Sequence, residues 1–161
     1  MAAYVRPART KAAPMNRFRT ACEADLDAIV GLMRRYYAED AYAFAEDEAR
    51  QAALALIHDE RLGRLWVAEV EGRVVGYLAV TLGFSLEYRG VDAFVDELYI
   101  AEGSRGRGLG TDALATAERY CRSRGVKAIH LEVERHRTAA LAIYRPAGFE
   151  DHDRYLLSKR L

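Results

Sequence analysis

The amino-acid sequence predicts an α/β domain in which a mixed, mostly antiparallel, strongly twisted sheet of six to seven strands is flanked by about four helices. Three observations predict it. In the first third of the chain apolar residues recur at helical spacing, at Leu26, Ile29, Val30, Met33 and Tyr37, then at Ala49, Ala52, Ala53, Leu56 and Ile57. Over residues 65–100 the period becomes that of short strands separated by turns. A closing alternation of helix and strand requires at least one parallel crossover.

Taken in order, residues 16–21 read as a short first strand, 23–38 as the first helix, and 49–61 as the core of the second. Strands follow over 65–70 and 74–82, joined by the Glu71-Gly72-Arg73 turn, and over 93–100 after a turn at Gly90. This is an antiparallel meander. Residues 108–124 return to helix, with Leu109, Ala113, Leu114, Ala117 and Cys121 on one side and Gly125 placed to stop it. A parallel strand over 128–133, a last helix over 138–147 and a final strand over 155–159 complete the expectation. Pro146 has no N–H to give, so it should kink or end the last helix early.

A chain of 161 residues, 51% hydrophobic and 30% charged, has the size of one domain with its own core. Residues 1–15 read as a basic, Ala- and Pro-containing tail that cannot bury a core, and 16–161 as a single domain. The 24 basic and 24 acidic residues cancel, so no overall field draws the chain to nucleic acid or to a membrane surface. No apolar run approaches the roughly 20 residues needed to span a bilayer, and no secretory signal is recognisable. The expectation is a soluble, cytoplasmic protein. Cys22 and Cys121 lack CxxC spacing, and His58, His130, His136 and His152 lack any paired ligand spacing, so no metal is expected.

The segment that carries chemistry lies between the strand ending at Ile100 and the helix beginning near Gly108. It reads Ala101-Glu102-Gly103-Ser104-Arg105-Gly106-Arg107-Gly108-Leu109-Gly110-Thr111. Glycines let backbone amides turn inward and approach a ligand, and a helix N-terminus adds unpaired donors and a positive dipole end. Arg105 and Arg107 add charge that suits a pyrophosphate. A P-loop is excluded by the missing Gly-Lys-Ser/Thr ending, and a dinucleotide fingerprint by Thr111 in place of its third glycine.

Arg105-Gly106-Arg107-Gly108-Leu109-Gly110 resembles the [Gln/Arg]-x-x-Gly-x-[Gly/Ala] signature of the GNAT N-acetyltransferase superfamily. Ala140-Leu141-Ala142-Ile143-Tyr144 with Gly148-Phe149 resembles its second motif. The resemblance covers most of residues 16–161 and implies acetyl-CoA as co-substrate. Backbone groups of Leu98, Tyr99 and Ile100 would pair with the pantetheine arm, and the amides of Arg105, Gly106, Arg107, Gly108, Leu109, Gly110 and Thr111 would hold the pyrophosphate. Ala140 belongs to the second motif, and Tyr144 would point its hydroxyl at the thioester sulfur. Arg137 stands where the family often has Asn, and its cation would reach a coenzyme phosphate instead. The resemblance also implies a homodimer.

Transfer to a primary amine, whose pKa is about 10.4, requires a group that removes a proton. Asp96 and Glu97 are adjacent on the strand upstream of the cradle, and alternation sends them to opposite faces. Glu97 would share its face with Val95 and Tyr99, and Asp96 with Phe94, Leu98 and Ile100, unless a bulge changes the assignment. Glu97 is the first choice as base and Asp96 the second; Tyr144 is the general acid. The acceptor is expected to be a small amine or a protein amino group. The acidic, aromatic stretch of residues 36–48 suggests a polycation. The alternative of another class is a non-catalytic acyl-CoA-binding module.

Overall fold

The computed structural model describes residues 17–135 and 137–159. The basic tail, Asn16 and His136 lie outside the described residues. Five strands and four helices are ordered along the chain as β1 (Phe18–Thr20), α1 (Leu26–Glu39), α2 (Glu46–His58), β2 (Gly63–Val70), β3 (Arg73–Ser85), β4 (Gly90–Ile100), α3 (Leu109–Ser123), β5 (Ile129–Leu131) and α4 (Thr138–Tyr144). The sheet order follows the sequence, β1 to β5, with three antiparallel pairings and one parallel pairing of β4 with β5.

Side-chain alternation gives the sheet two buried faces. Trp66, Ala68, Leu78, Val80, Ala93 and Val95 pack with Phe18 against Leu109, Ala113, Ala117, Tyr120 and Cys121 of α3. Leu65, Val67, Tyr77, Ala79 and Tyr99 pack on the other face against Ile29, Val30, Leu32 and Ala53 of α1 and α2. The result is helix, sheet and helix, in three layers.

Several boundaries differ from the sequence expectation. Helix α2 begins at Glu46, so Glu46, Asp47 and Glu48 occupy its first turn, where the dipole favours acids. The last helix ends at Tyr144, two residues before Pro146. The strand expected over 155–159 is absent. That segment has no regular secondary structure and no ladder partner among the described residues, and Tyr155, Leu156 and Leu157 are exposed. The β5 strand, three residues long, offers little edge to extend. Among the described residues the sheet therefore has five strands rather than six or seven.

The strand β4 carries the departure that matters most. Glu97 pairs with Ala79, but Val95 pairs with the next residue, Val80, so Asp96 is left over as a bulge. Ala93 and Val95 face α3, and beyond the extra residue Leu98 and Ile100 face the same core. Without the bulge they would emerge on the opposite side. Glu97 and Tyr99 consequently face α1, and the simple alternation that grouped Val95 with Glu97 fails here.

Candidate active site

The parallel pairing of β4 with β5 stops at Val95 and Leu131, one residue before the bulge. Beyond that point the two strands' continuations form opposing walls of a cleft of about 1890 Å³, with Leu98, Tyr99 and Ile100 on one side and Glu132, Val133 and Glu134 on the other. Tyr36, Asp96, the start of α3 and the inner side of α4 complete the lining. Where a ladder ends, backbone donors and acceptors of β4 face the gap instead of a neighbouring strand.

At one end of this cleft lies the glycine-rich turn. Gly106 and Gly108 adopt φ of +75° and +79°, values that few L-residues tolerate. Gly108 caps α3 in this left-handed conformation, and the first intrahelical bond runs from Asp112 N–H to Gly108 C=O at 3.1 Å. The N–H groups of Leu109, Gly110 and Thr111 precede any intrahelical acceptor. Leu109 is buried and anchors the turn, and all four residues from Gly108 to Thr111 line the cleft. The amides that the sequence expectation assigned to an anion cradle thus stand at a helix N-terminus and on the cleft lining.

The two arginines of the turn do not act alike. Arg105 lines the cleft but is drawn toward the end of α1, donating to both oxygens of Glu39 at 2.8 Å and to the Ile100 carbonyl at 2.8 Å. Its guanidinium also lies 5.4 Å from the centre of the Tyr99 ring, and the Tyr99 hydroxyl donates to Glu39 at 2.7 Å. Partial burial opposes ionisation of Glu39, but the bonds from Arg105 and Tyr99 prevail and hold its pKa below the ordinary value. Arg107 is exposed and does not line the cleft.

The two acids on β4 are separated by the bulge. Asp96 lines the cleft and its side chain is open to water, while the walls around it bury it enough to push its pKa above the ordinary value. Glu97 is not part of the lining. Tyr77 and Tyr37 donate their hydroxyls to its two oxygens at 2.8 and 2.9 Å. Burial pushes the Glu97 pKa up, against those two hydrogen bonds, and the neighbouring charge of Asp96 pushes the same way as burial. The side chain expected to reach an acceptor is thus held between sheet and α1, and its neighbour reaches the cleft.

On the opposite wall Tyr144 is half-buried, packed edge-on to Phe149 with ring centres 6.0 Å apart. Burial raises its pKa, and the charge of Arg137 opposes that rise. Ala140 lines the same wall, and a methyl placed on Gly110 would come within 2.8 Å of Ile143 Cδ1, so α4 sits close over the cradle. Arg137 pairs across the cleft with Asp40 rather than pointing into it unpartnered, and the Tyr42 hydroxyl lies 3.3 Å from Glu134 Oε1 beside it.

The acidic stretch is largely consumed by such pairs. Glu39 is held by Arg105, Asp40 by Arg137 and Glu46 by Arg34, while Glu87 on the β3–β4 turn is bonded by Arg154. Asp47 and Glu48, exposed in the first turn of α2, have no such partner among the described residues. Among the described residues no group of three or more His, Cys, Asp and Glu side chains is arranged to hold a metal ion, and no helix is long and apolar enough to cross a membrane.

Comparison with known proteins places this geometry. The family model described as the acetyltransferase (GNAT) family matches residues 26–149. An uncharacterized N-acetyltransferase of Methanocaldococcus jannaschii is 32% identical over 90 residues, 55% of this chain and 39% of that protein. The chain thus spans about two fifths of that relative's length. An uncharacterized N-acetyltransferase of Bacillus subtilis is 25% identical over 134 residues, covering 83% of this chain and 89% of the relative. Among solved structures, an integron cassette protein from the mobile metagenome of Cole Harbour Salt Marsh superposes with a TM-score of 0.81 at 38% identity, over 90% of each chain. A predicted acetyltransferase of Clostridium acetobutylicum, solved with acetyl-CoA, shares the fold with a TM-score of 0.75 at 19% identity, over 88% of this chain and 94% of the other. With a family match over most of its described length, the chain belongs to the GNAT acetyltransferase family.

Proposed function

We propose that the protein transfers the acetyl group of acetyl-CoA directly to a primary amine within this cleft. The observation that carries the reading is the coincidence, in one cleft, of a broken strand ladder, a helix-terminal amide cradle and a carboxylate with a raised pKa. The pyrophosphate would lie on the amides of the Gly106-to-Thr111 turn and the pantetheine along Leu98, Tyr99 and Ile100. A solved acetyltransferase of the same fold, crystallised with acetyl-CoA, supports the choice of co-substrate.

Asp96 takes a proton from the acceptor ammonium, directly or through one water. The freed nitrogen lone pair attacks the thioester carbonyl, the carbon–sulfur bond breaks, and Tyr144 gives its hydroxyl proton to the departing thiolate. The remaining extra proton on the acylated nitrogen passes to the Tyr144 phenolate, directly or through water, to leave a neutral amide, and Asp96 releases its proton to solvent. What supports Asp96 over Glu97 is its place on the lining; Glu97, held by two tyrosines, fixes the bulge from behind. The acceptor fits best as an amine presenting one ammonium group to Asp96 beside Tyr36. Glu39 and Asp40 are already paired with arginines, whereas Asp96, Glu132, Glu134, Glu150 and Asp151 line the cleft with no ion-pair partner among the described residues, so a second positive charge on the acceptor also finds carboxylates here.

The cradle is tested with Gly108→Val. A β-branched residue at φ +79° costs about 1–2 kcal/mol of strain and shifts the amides that follow it. On a folded variant, calorimetry should find the dissociation constant for acetyl-CoA raised by about 10-fold or more, with the thermal midpoint only modestly lowered. An unchanged affinity would remove the cradle from the account.

A further inference from the structure

We infer that Arg17, 90 residues distant from the turn in sequence, is a positioning residue for the coenzyme cradle; the inference rests on the cradle reading above. Arg17 immediately precedes β1, and its backbone is fixed to the sheet by the bond from Glu69 N–H to its carbonyl at 2.9 Å. Its guanidinium reaches the rear of the turn. Nη1 donates to the Arg107 carbonyl at 2.6 Å, and Nε donates to Asp112 Oδ2 at 2.7 Å. Neither Arg17 nor Asp112 lines the cleft, whereas Gly106, Gly108 and Leu109 do.

The consequence follows from peptide geometry. In a planar trans peptide the C=O and N–H point in opposite directions. Arg17 holds the Arg107 carbonyl away from the cleft, so the N–H of the same peptide, which belongs to Gly108, is turned toward it. The hold is needed because Arg107 lies between two glycines with positive φ, where the backbone has the most freedom to rotate. A methyl on Gly108 would come within 3.3 Å of Arg17 Nη2, which shows how closely the guanidinium is seated against the turn.

The second bond acts on charge. Asp112 stands in the first turn of α3, near the end that would receive a phosphate, where an uncompensated carboxylate would repel the ligand. Arg17 neutralises it at 2.6 Å while linking that turn of the helix to the loop. One side chain from the sheet thus sets the direction of an amide and cancels an opposing charge.

The test compares wild type with Arg17→Met, Arg17→Lys and Asp112→Asn, using CoA as the probe. Calorimetry reads affinity, and ¹⁵N NMR reads the amides of Gly106 and Gly108 in the free protein. Arg17→Met is expected to raise the CoA dissociation constant by about 10-fold, the effect of losing charge-assisted hydrogen bonds, and to broaden or shift both glycine amides. Lysine should restore part of the affinity, since it donates without the guanidinium's fork. Unchanged affinity in Arg17→Met, or weaker affinity with glycine amides identical to wild type, overturns the inference. If Arg17→Met does not fold, Asp112→Asn releases one of the two anchors with little change of shape, and wild-type amides and affinity there are equally adverse. Wild-type protein whose Gly106-to-Thr111 amides ignore CoA would instead refute the cradle reading itself.

Discussion

Replacing Asp96 by Asn is expected to lower turnover by about 10²-fold or more, the range for losing a general base, while leaving affinity for acetyl-CoA close to wild type. The same substitution should make the protein more stable at neutral pH. Asp96 has a raised pKa in the fold because burial disfavours its charged form. A carboxyl with a raised folded pKa contributes stability below its unfolded pKa and loses that contribution as pH rises through the folded value. At pH 7 the ionised Asp96 therefore costs stability, and the neutral amide removes the cost. In wild type the rate should fall as acid protonates Asp96, and in Asp96→Asn that acidic limb should vanish. Glu97→Gln provides the contrast, with a change of only a few-fold expected, because Glu97 is bonded to Tyr37 and Tyr77 rather than open to the cleft. A larger loss in Glu97→Gln than in Asp96→Asn would reverse the assignment.

Tyr144→Phe is expected to lower turnover by about 10²-fold at saturating acetyl-CoA, with the coenzyme's dissociation constant within about 2-fold of wild type. The ring stays in its packing against Phe149, so only the proton for the thiolate is lost. The deficit should shrink for a thioester whose thiol is more acidic, since such a leaving group needs less help. Steady-state assays with acetyl-CoA and with an activated acetyl thioester read this directly. Equal deficits for both donors, or near-normal turnover, would return Tyr144 to a packing role.

The elements that local chemistry dictates were legible in the sequence. The apolar stripes of α1 and α3, the turn at Gly72, the turn that ends just before Gly90, which itself opens β4, and the early end of α4 before Pro146 each depend on residues adjacent in the chain or one helical turn apart. The glycine-rich turn that leads into α3 was legible for the same reason, because its glycines and the helix start are contiguous. The bulge at Asp96 was not, since it arises from the register between β3 and β4 and two neighbouring acids give no local sign of which is the extra residue. Nor were the partners of Arg17, Arg105 and Glu97. These bonds join residues 95, 66 and 60 positions apart, and only the packed sheet brings them together. The expected strand over 155–159 has the apolar residues of a strand but not the edge to pair with.

Direct passage of the acetyl group from coenzyme to amine is the centre of the account, because the cleft lining contains no cysteine that would carry it between them; Cys22 and Cys121 lie elsewhere. Initial rates measured by thiol release, with acetyl-CoA and a reactive primary amine varied together, test this most directly. Direct transfer predicts intersecting double-reciprocal lines, since both substrates must occupy the cleft at once. Parallel lines, with label from acetyl-CoA retained covalently on the protein when the amine is withheld, would contradict it.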